Sequence, residues 1–544
     1  MSQLRSKRSP VRWAAPLCVL LAVGVLLVGG VANGQPLMHS KTAAAHASTT
    51  LTWALGSSPF SVWGPYCFCT SGAVAMSLVY QTDLEYGTFG QLGAQVISSW
   101  KQTSPTTYVY HVRPGVKFSN GTTVTASDVA FSLSINLNPK IGSRLASMFA
   151  SVQRIGSKGD TVTVKLKHPD ATWQYVPAQS AGYVYSKADY LKHPNDYGTP
   201  SALPIGTGPY KFQSFQPNSQ ILLVRNPYWK GRKFPWDKVV MPIIPDAQAL
   251  LLAVESGKVD GTFDVPATSF AIWSKAPNVY FHGFASDGFT GFSVDLTDSR
   301  FKDIHVRKAI AYAIDRKGLV GALLNGAGKP INCIVPPGMF RSVLSKSEVD
   351  AALSKIPDYA YDLAKAKAEL RQSTTPNGFT FTLNVPNGCP ACIAIAQNVA
   401  ASLSQIGITV NLNLMPGGAR FQIMLDHGPN LGLQILNTGP DNPDPADFPA
   451  TRWVSSQAVK GGLNFSNWQS PEIDKLVAQA LALKDRAQAA RLILKGCQLE
   501  AQQVSYIPIY TFDFAVAVRK GWSVSSAIGP FFATVNWLPY VRVG

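Results

Sequence analysis

Residues 108–136 read YVYHVRPGVKFSNGTTVTASDVAFSLSIN. Tyr108, Tyr110 and Val112 keep the period of two that a strand with one buried face requires. The strand ends at Arg113-Pro114-Gly115, where proline pre-sets φ and glycine supplies the positive φ of a type II turn. Val116 and Phe118 follow, and Asn120-Gly121 turns the chain again. Thr125 stands ahead of Ala126 as an N-cap, with Asp128 three residues on in a carboxylate version of the capping box. The physical reading is a strand–turn–helix scaffold.

Outward from this stretch the chain alternates strand and helix signals. Leu51 to Leu55 reads as a first strand, a loop rich in Gly, Ser, Pro and aromatics follows, and a helix is expected from about Ala73 to Gln81. Residues 204–231, PIGTGPYKFQSFQPNSQILLVRNPYWKG, read as a hairpin between two turns. Gly206-Thr207-Gly208 is not a dinucleotide loop, because Pro209-Tyr210 opens a strand where such a loop would open a helix. In residues 301–315, FKDIHVRKAIAYAID, Val306, Ala309, Ile310, Ala313 and Ile314 form one helical stripe. Ile395, Ala396, Val399, Leu403 and Ile406 form another, stopped by Gly407, after which Ile408, Val410, Leu412 and Leu414 alternate as a strand. Residues 467–476, NWQSPEIDKL, place Ser470 as an N-cap and Pro471 at the first helical position.

A chain of 544 residues is too long for one core and implies two or three domains. Apolar residues make up 46%, enough for sizeable cores, while charged residues are only 15%, so the polar surface rests largely on Ser, Thr, Asn and Gln. The net charge of +17 favours anionic surfaces such as cell envelopes. Nucleic-acid binding is discounted, because beyond residue 12 the Lys and Arg are scattered without a basic block. Arg5, Lys7, Arg8 and Arg12 precede an uncharged run from Trp13 to Ala32, which reads as an export signal or a membrane anchor within 1–34. Residues 35–50 are a spacer, and the remainder is expected outside the cytoplasm, in the periplasm or on the outer face of the cytoplasmic membrane.

Beyond Cys18 six cysteines remain: Cys67, Cys69, Cys333, Cys389, Cys392 and Cys497. In an exported chain they are compatible with disulfides, and spacing alone leaves the pairing open. Cys389-Pro390-Ala391-Cys392 invites a thioredoxin-type reading, but nothing of thioredoxin size is separable around it, so a structural disulfide is favoured. Zinc binding there would need a second ligand pair, and neither Cys333 nor Cys497 lies in one.

Several of these stretches, in this order, resemble the family-5 extracellular solute-binding proteins, the peptide- and nickel-binding receptors of ABC importers. The resemblance rests on Arg113 to Phe118, Asn120-Gly121, Thr125 to Val129 and Phe131-Ser132. It continues through Gly206 to Tyr210, Arg225-Asn226 with Tyr228-Trp229, the run from Phe301 to Asp315 and the helix start at Ser470-Pro471-Glu472. Tyr506 to Tyr510 and Ala515 to Arg519 resemble the family's closing strands, so the similarity spans residues 51 to 519. It implies an α/β, two-lobed periplasmic-binding-protein-like fold with a hinge and an extra subdomain inserted in the N-terminal lobe. The first lobe would comprise 51–89, 203–285 and 504–544, the insert 90–202, and the second lobe 286–503. It further implies a monomer that closes on a peptide and docks on ABC permease subunits, with no cofactor, no metal and no catalytic residue of its own.

In the peptide-binding branch an acidic loop residue pairs with the ligand's α-ammonium group, and Asp441 of residues 437–448, NTGPDNPDPADF, falls at that position. A carboxylate in a closed cleft would meet that cation away from screening water. Gly439 and Asn442 accompany it, whereas Asp444 and Asp447 are read as turn and cap residues. Phe60, Trp63, Tyr66 and Phe68 in the loop after the first strand, together with Trp453, are candidates to wall an apolar pocket. Three other readings stand beside this one: a receptor for a nickel chelate, an oligosaccharide or an opine; an envelope sensory module; and a CxxC thiol oxidoreductase. No GxSxG elbow, HExxH spacing or cysteine-nucleophile signature is present.

Overall fold

The computed structural model describes residues 49–67, 70–87 and 90–543. The basic and apolar N-terminal segment, the spacer up to residue 48, Phe68 and Cys69 lie outside the described residues.

Strand Thr107–Val112 belongs to a four-stranded antiparallel sheet, in the order Ile97–Ser104, Thr107–Val112, Thr161–Leu166, Val152–Lys158. Tyr108, Tyr110 and Val112 turn inward into a cluster with Val162, Val164 and Trp173. Gly115 and Gly121 both adopt positive φ at the two turns. Helix Ala126–Ser134 starts on the expected capping box: Thr125 Oγ1 accepts from the Asp128 amide at 3.2 Å, and Asp128 Oδ2 accepts from the Thr125 amide at 3.0 Å. Each satisfies an amide that the helix start would otherwise leave unpaired.

A nine-stranded mixed sheet forms the backbone of the molecule. Its path runs Leu433–Thr438, Val279–Val294, Tyr506–Arg519, Gly261–Thr262, Thr50–Ala54, Lys238–Pro242, Gln220–Arg225, Tyr210–Gln216, with Gly328–Pro330 also on Tyr506–Arg519. Val279–Val294 and Tyr506–Arg519 are antiparallel and run through both halves of this sheet. Tyr506–Arg519 is a single strand where the sequence suggested two, because residues between them stay paired with Phe284 and Phe289. The pairing slips between Ala285 and Gly288. There Asp287 has φ +51°, and Ser286 Oγ donates to the Phe512 carbonyl at 2.6 Å while accepting from the Gly288 amide at 3.0 Å. A Cβ on Gly288 would stand 2.6 Å from the Phe512 ring, so any larger residue at the crossing would displace that ring.

Local expectations elsewhere hold with one shift. The helix expected from Ala73 to Gln81 is Thr70–Met76 instead. The chain beyond it is needed as an acceptor: the Leu78 and Val79 carbonyls take the amides of Tyr210 and Gly208. A Cβ on Gly206 would lie 2.1 Å from the Val79 carbonyl oxygen, which is the requirement behind the Gly-Thr-Gly motif. Strand Thr380–Pro386, helix Pro390–Ser404 and strand Thr409–Met415 form a parallel strand–helix–strand unit, with Gly407 at φ +96° just past the helix end. Helix Pro471–Ala482 begins at Ser470, whose hydroxyl accepts from the Ile473 amide. Among the described residues no helix is long and apolar enough to cross a membrane.

Cys333 and Cys497 form a disulfide across 164 residues, and Cys389 and Cys392 form another. Cys67 is also disulfide-bonded.

Candidate functional site

Strand Leu433–Thr438 leaves the large sheet and runs into the acidic loop, which ends in helix Asp447–Arg452. Carboxylates and an amide hold the loop from within. Asp447 accepts from the Asp441 amide at 3.0 Å and from Asn442 Nδ2 at 2.5 Å. Asn442 Oδ1 in turn accepts from the Asp444 amide at 3.0 Å, and Asp444 Oδ1 accepts from the Ala446 amide at 2.9 Å. Arg486 clamps Asp444 from outside, Nε to Oδ2 at 2.7 Å and Nη2 to Oδ1 at 2.5 Å. A bidentate pair of this kind fixes orientation as well as charge.

This network pins the main chain of Asp441 without using its carboxylate. Burial pushes the Asp441 carboxyl up to about 6, against the nearby Arg452, which favours its charged form. Asp447 is raised well above the ordinary carboxylate range, by burial first and then by Asp441 beside it. Arg452 lies 4.6 Å from the Phe448 ring centroid and donates to Thr438 Oγ1 and Thr451 Oγ1. The Arg452 charge favours ionisation of both acids, and their mutual proximity opposes it for Asp447.

Asp441 and Gly439 line a cavity of about 690 Å³. Phe60, Tyr66 and Arg144 line it too. Phe60 is 78% exposed, with the Arg144 guanidinium 5.6 Å from its ring centroid. A second cavity of about 750 Å³ adjoins, and Met148, Gln179 and Asp441 line both. Asn442 faces only the second cavity, with its side chain already spent on the loop.

Trp63 and Trp453 correct the expectation that they wall the pocket. Trp63 is 1% exposed and packs among Tyr66, Tyr190 and Tyr197. Trp453 is fully buried, with Gly496 of helix Arg486–Gln503 so close that a Cβ would stand 2.7 Å from the indole. Both indoles bury more apolar area in the core than they would in a cleft wall.

Arg420 is a wall residue that the sequence did not single out. It sits in helix Gly417–Asp426, is 8% exposed, and donates to the Ile435 carbonyl and to Met424 Sδ. Burial lowers its guanidinium to about 10, and no carboxylate among the described residues forms an ion pair with it. Only the fold brings it to the cavity, and a lone Arg in an amphipathic helix carries no signal of its own.

The model of the bacterial extracellular solute-binding proteins, family 5 (middle), matches residues 91–460. The chain belongs to this family. This family-5 protein is 28% identical over 455 residues to the probable D,D-dipeptide-binding periplasmic protein DdpA of Escherichia coli (strain K12), covering 81% of this chain and 84% of that one. It is 28% identical over 426 residues to the oligopeptide-binding protein AppA of Bacillus subtilis, covering 74% and 75%. Among solved structures, the ABC transporter-associated periplasmic binding protein DppA from Helicobacter pylori in complex with the peptide STSA superposes with a TM-score of 0.80. The two are 23% identical, and the match covers 91% of this chain and 98% of that one. The family-5 protein thus has the two-lobed fold of periplasmic binding proteins.

Proposed function

We propose that this protein is the extracytoplasmic receptor of an ABC importer and that it binds peptides by their free amino terminus. Asp441 carries the reading: it lines the cavity and its carboxylate takes no part in the hydrogen bonds by which Asn442, Asp444 and Asp447 hold the loop. A ligand ammonium would meet the Asp441 carboxylate in a setting where burial opposes its charge and only the field of Arg452 favours it. Arg420 and Arg144, on the same cavity, suit a ligand carboxylate, so the wall complements a zwitterion. Phe60 and Tyr66 offer apolar surface to side chains. The named specificities of DdpA and AppA agree with this ligand class.

Residues 286–503 would close as one body on 51–89, 203–285 and 504–544, with 90–202 as the inserted subdomain. Ligand contacts made from both sides stabilise the closed form, which a membrane permease then recognises. The basic and apolar N-terminal segment would direct export and either be removed or anchor a monomeric receptor at the outer face of the cytoplasmic membrane.

The test is calorimetric titration with free-amine and Nα-acetylated forms of the same peptides. Free-amine peptides bind, and Asp441→Asn weakens them by about a hundredfold, in line with loss of a desolvated charge pair. Equal binding of acetylated peptides removes Asp441 from this role, and no saturable peptide binding overturns the reading.

A further inference from the structure

The disulfides Cys333–Cys497 and Cys389–Cys392 sit in different surroundings. Cys333 and Cys497 are 1% and 0% exposed, inside a hydrophobic cluster, and close a span of 164 residues. Cys389 and Cys392 are only three positions apart, a loop too short for the crosslink to remove much chain entropy. They instead line the same cavity as Asp441. Cys392 is 2% exposed and Cys389 is partly exposed, so the two residues differ in access.

Their setting is suited to sulfur exchange. Cys389 is the N-cap of the 15-residue helix Pro390–Ser404, Pro390 occupies its first turn, and the Cys392 amide donates to Cys389 Sγ at 3.2 Å. The helix follows strand Thr380–Pro386 and leads to a parallel strand, the strand–helix–strand context that a reactive CxxC pair needs. Amides at a helix start favour a thiolate there. Arg420, a cation without a carboxylate partner among the described residues, lines the same wall.

We propose that the Cys389–Cys392 disulfide is a covalent capture site for thiol-bearing peptides held in the cleft. This rests on the peptide reading of the cavity. The thiolate of a bound cysteinyl peptide attacks Sγ of Cys389, the more exposed of the two residues. A new S–S bond joins peptide and Cys389, the Cys389–Cys392 bond breaks, and its electron pair leaves on Cys392 Sγ, which takes up the proton the peptide thiol released. No outside oxidant or reductant enters, and return attack by Cys392 frees the peptide unchanged.

The experiment incubates the whole oxidised protein with the tripeptide Ala-Cys-Ala, quenches with N-ethylmaleimide and maps the product by mass spectrometry. The expected product carries one peptide on Cys389 and one maleimide on Cys392, forms at least about tenfold faster than the adduct of 2-mercaptoethanol at equal thiol concentration, and is lost in Cys389→Ser. Equal rates for the two thiols, or an adduct placed on another cysteine, overturn the proposal. S-methylated Ala-Cys-Ala, which cannot exchange, reads peptide binding alone through thermal stabilisation of the wild-type protein. Stabilisation by it without an Ala-Cys-Ala adduct sinks covalent capture and leaves the receptor reading intact. If neither stabilisation nor adduct is seen, both fall.

Discussion

The Tyr86 hydroxyl donates to the main-chain carbonyl of Asp441 at 3.3 Å, joining residues 355 positions apart in the chain. The same hydroxyl lies 3.4 Å from the Tyr175 carbonyl, and the Tyr86 ring stacks on Phe531 with centroids 4.6 Å apart. The bond spans from the strand Leu84–Tyr86 to the loop that carries Asp441. Tyr86→Phe keeps the ring stack and removes the bond, at a cost of about 1 kcal/mol. Peptide affinity should fall about fivefold by calorimetry, with the preference for a free amine unchanged.

Acidification should weaken peptide binding through Asp441. Burial raises its carboxyl to about 6, and only the ionised form pairs with an ammonium. The dissociation constant should be flat above about pH 7 and rise about tenfold for each pH unit well below that value. Asp441→Asn should abolish that slope. A wild-type profile that stays flat down to about pH 5 would contradict the assignment.

The two disulfides should differ in their effect on stability. Cys333→Ala with Cys497→Ala opens a long closed loop and leaves a small void in a buried cluster, costing about 3–5 kcal/mol. Cys389→Ala with Cys392→Ala should cost well under half of that, since the crosslinked residues are only three positions apart. Differential scanning calorimetry of the two double variants makes the comparison directly.

Glu500 couples the core to pH. Its carboxyl is fully buried; Oε1 accepts from Ser505 Oγ at 2.9 Å and from the Tyr506 amide at 2.6 Å, while Oε2 has no hydrogen-bond partner among the described residues. Burial raises it to about 7, above its ordinary value of 4.5. The folded state therefore holds this proton more tightly. The stability it contributes is full below about pH 4.5 and is lost as pH rises through about 7. Glu500→Gln should match wild type near pH 4 and exceed it at pH 8 by up to about 3 kcal/mol, read from denaturant midpoints.

Features set by neighbours along the chain were legible in the amino-acid sequence. Thr125 with Asp128, Ser470 with Pro471, and Gly407 at a helix end each satisfy local backbone needs that the residues themselves announce. Family resemblance added the lobed fold and pointed to Asp441. Features created by distant approach were not legible. Arg420 reaches the cavity only through tertiary packing, and the pairing of Cys333 with Cys497 depends on a separation of 164 residues. Trp63 and Trp453 misled for a related reason: an aromatic in a loop or beside an acidic motif has the same letter whether it faces a ligand or fills a core.

The position of Tyr506–Arg519 between Val279–Val294 and Gly261–Thr262 constrains the order of assembly. While the ribosome is still making the chain, the sheet of the first half lacks the strand that joins it to the second. Thr50–Ala54 and its partners can pair early, yet their edge stays open until residues 506–519 have emerged. Closure of the sheet therefore waits on a pairing of high sequence separation, which pays its loop-closure entropy late.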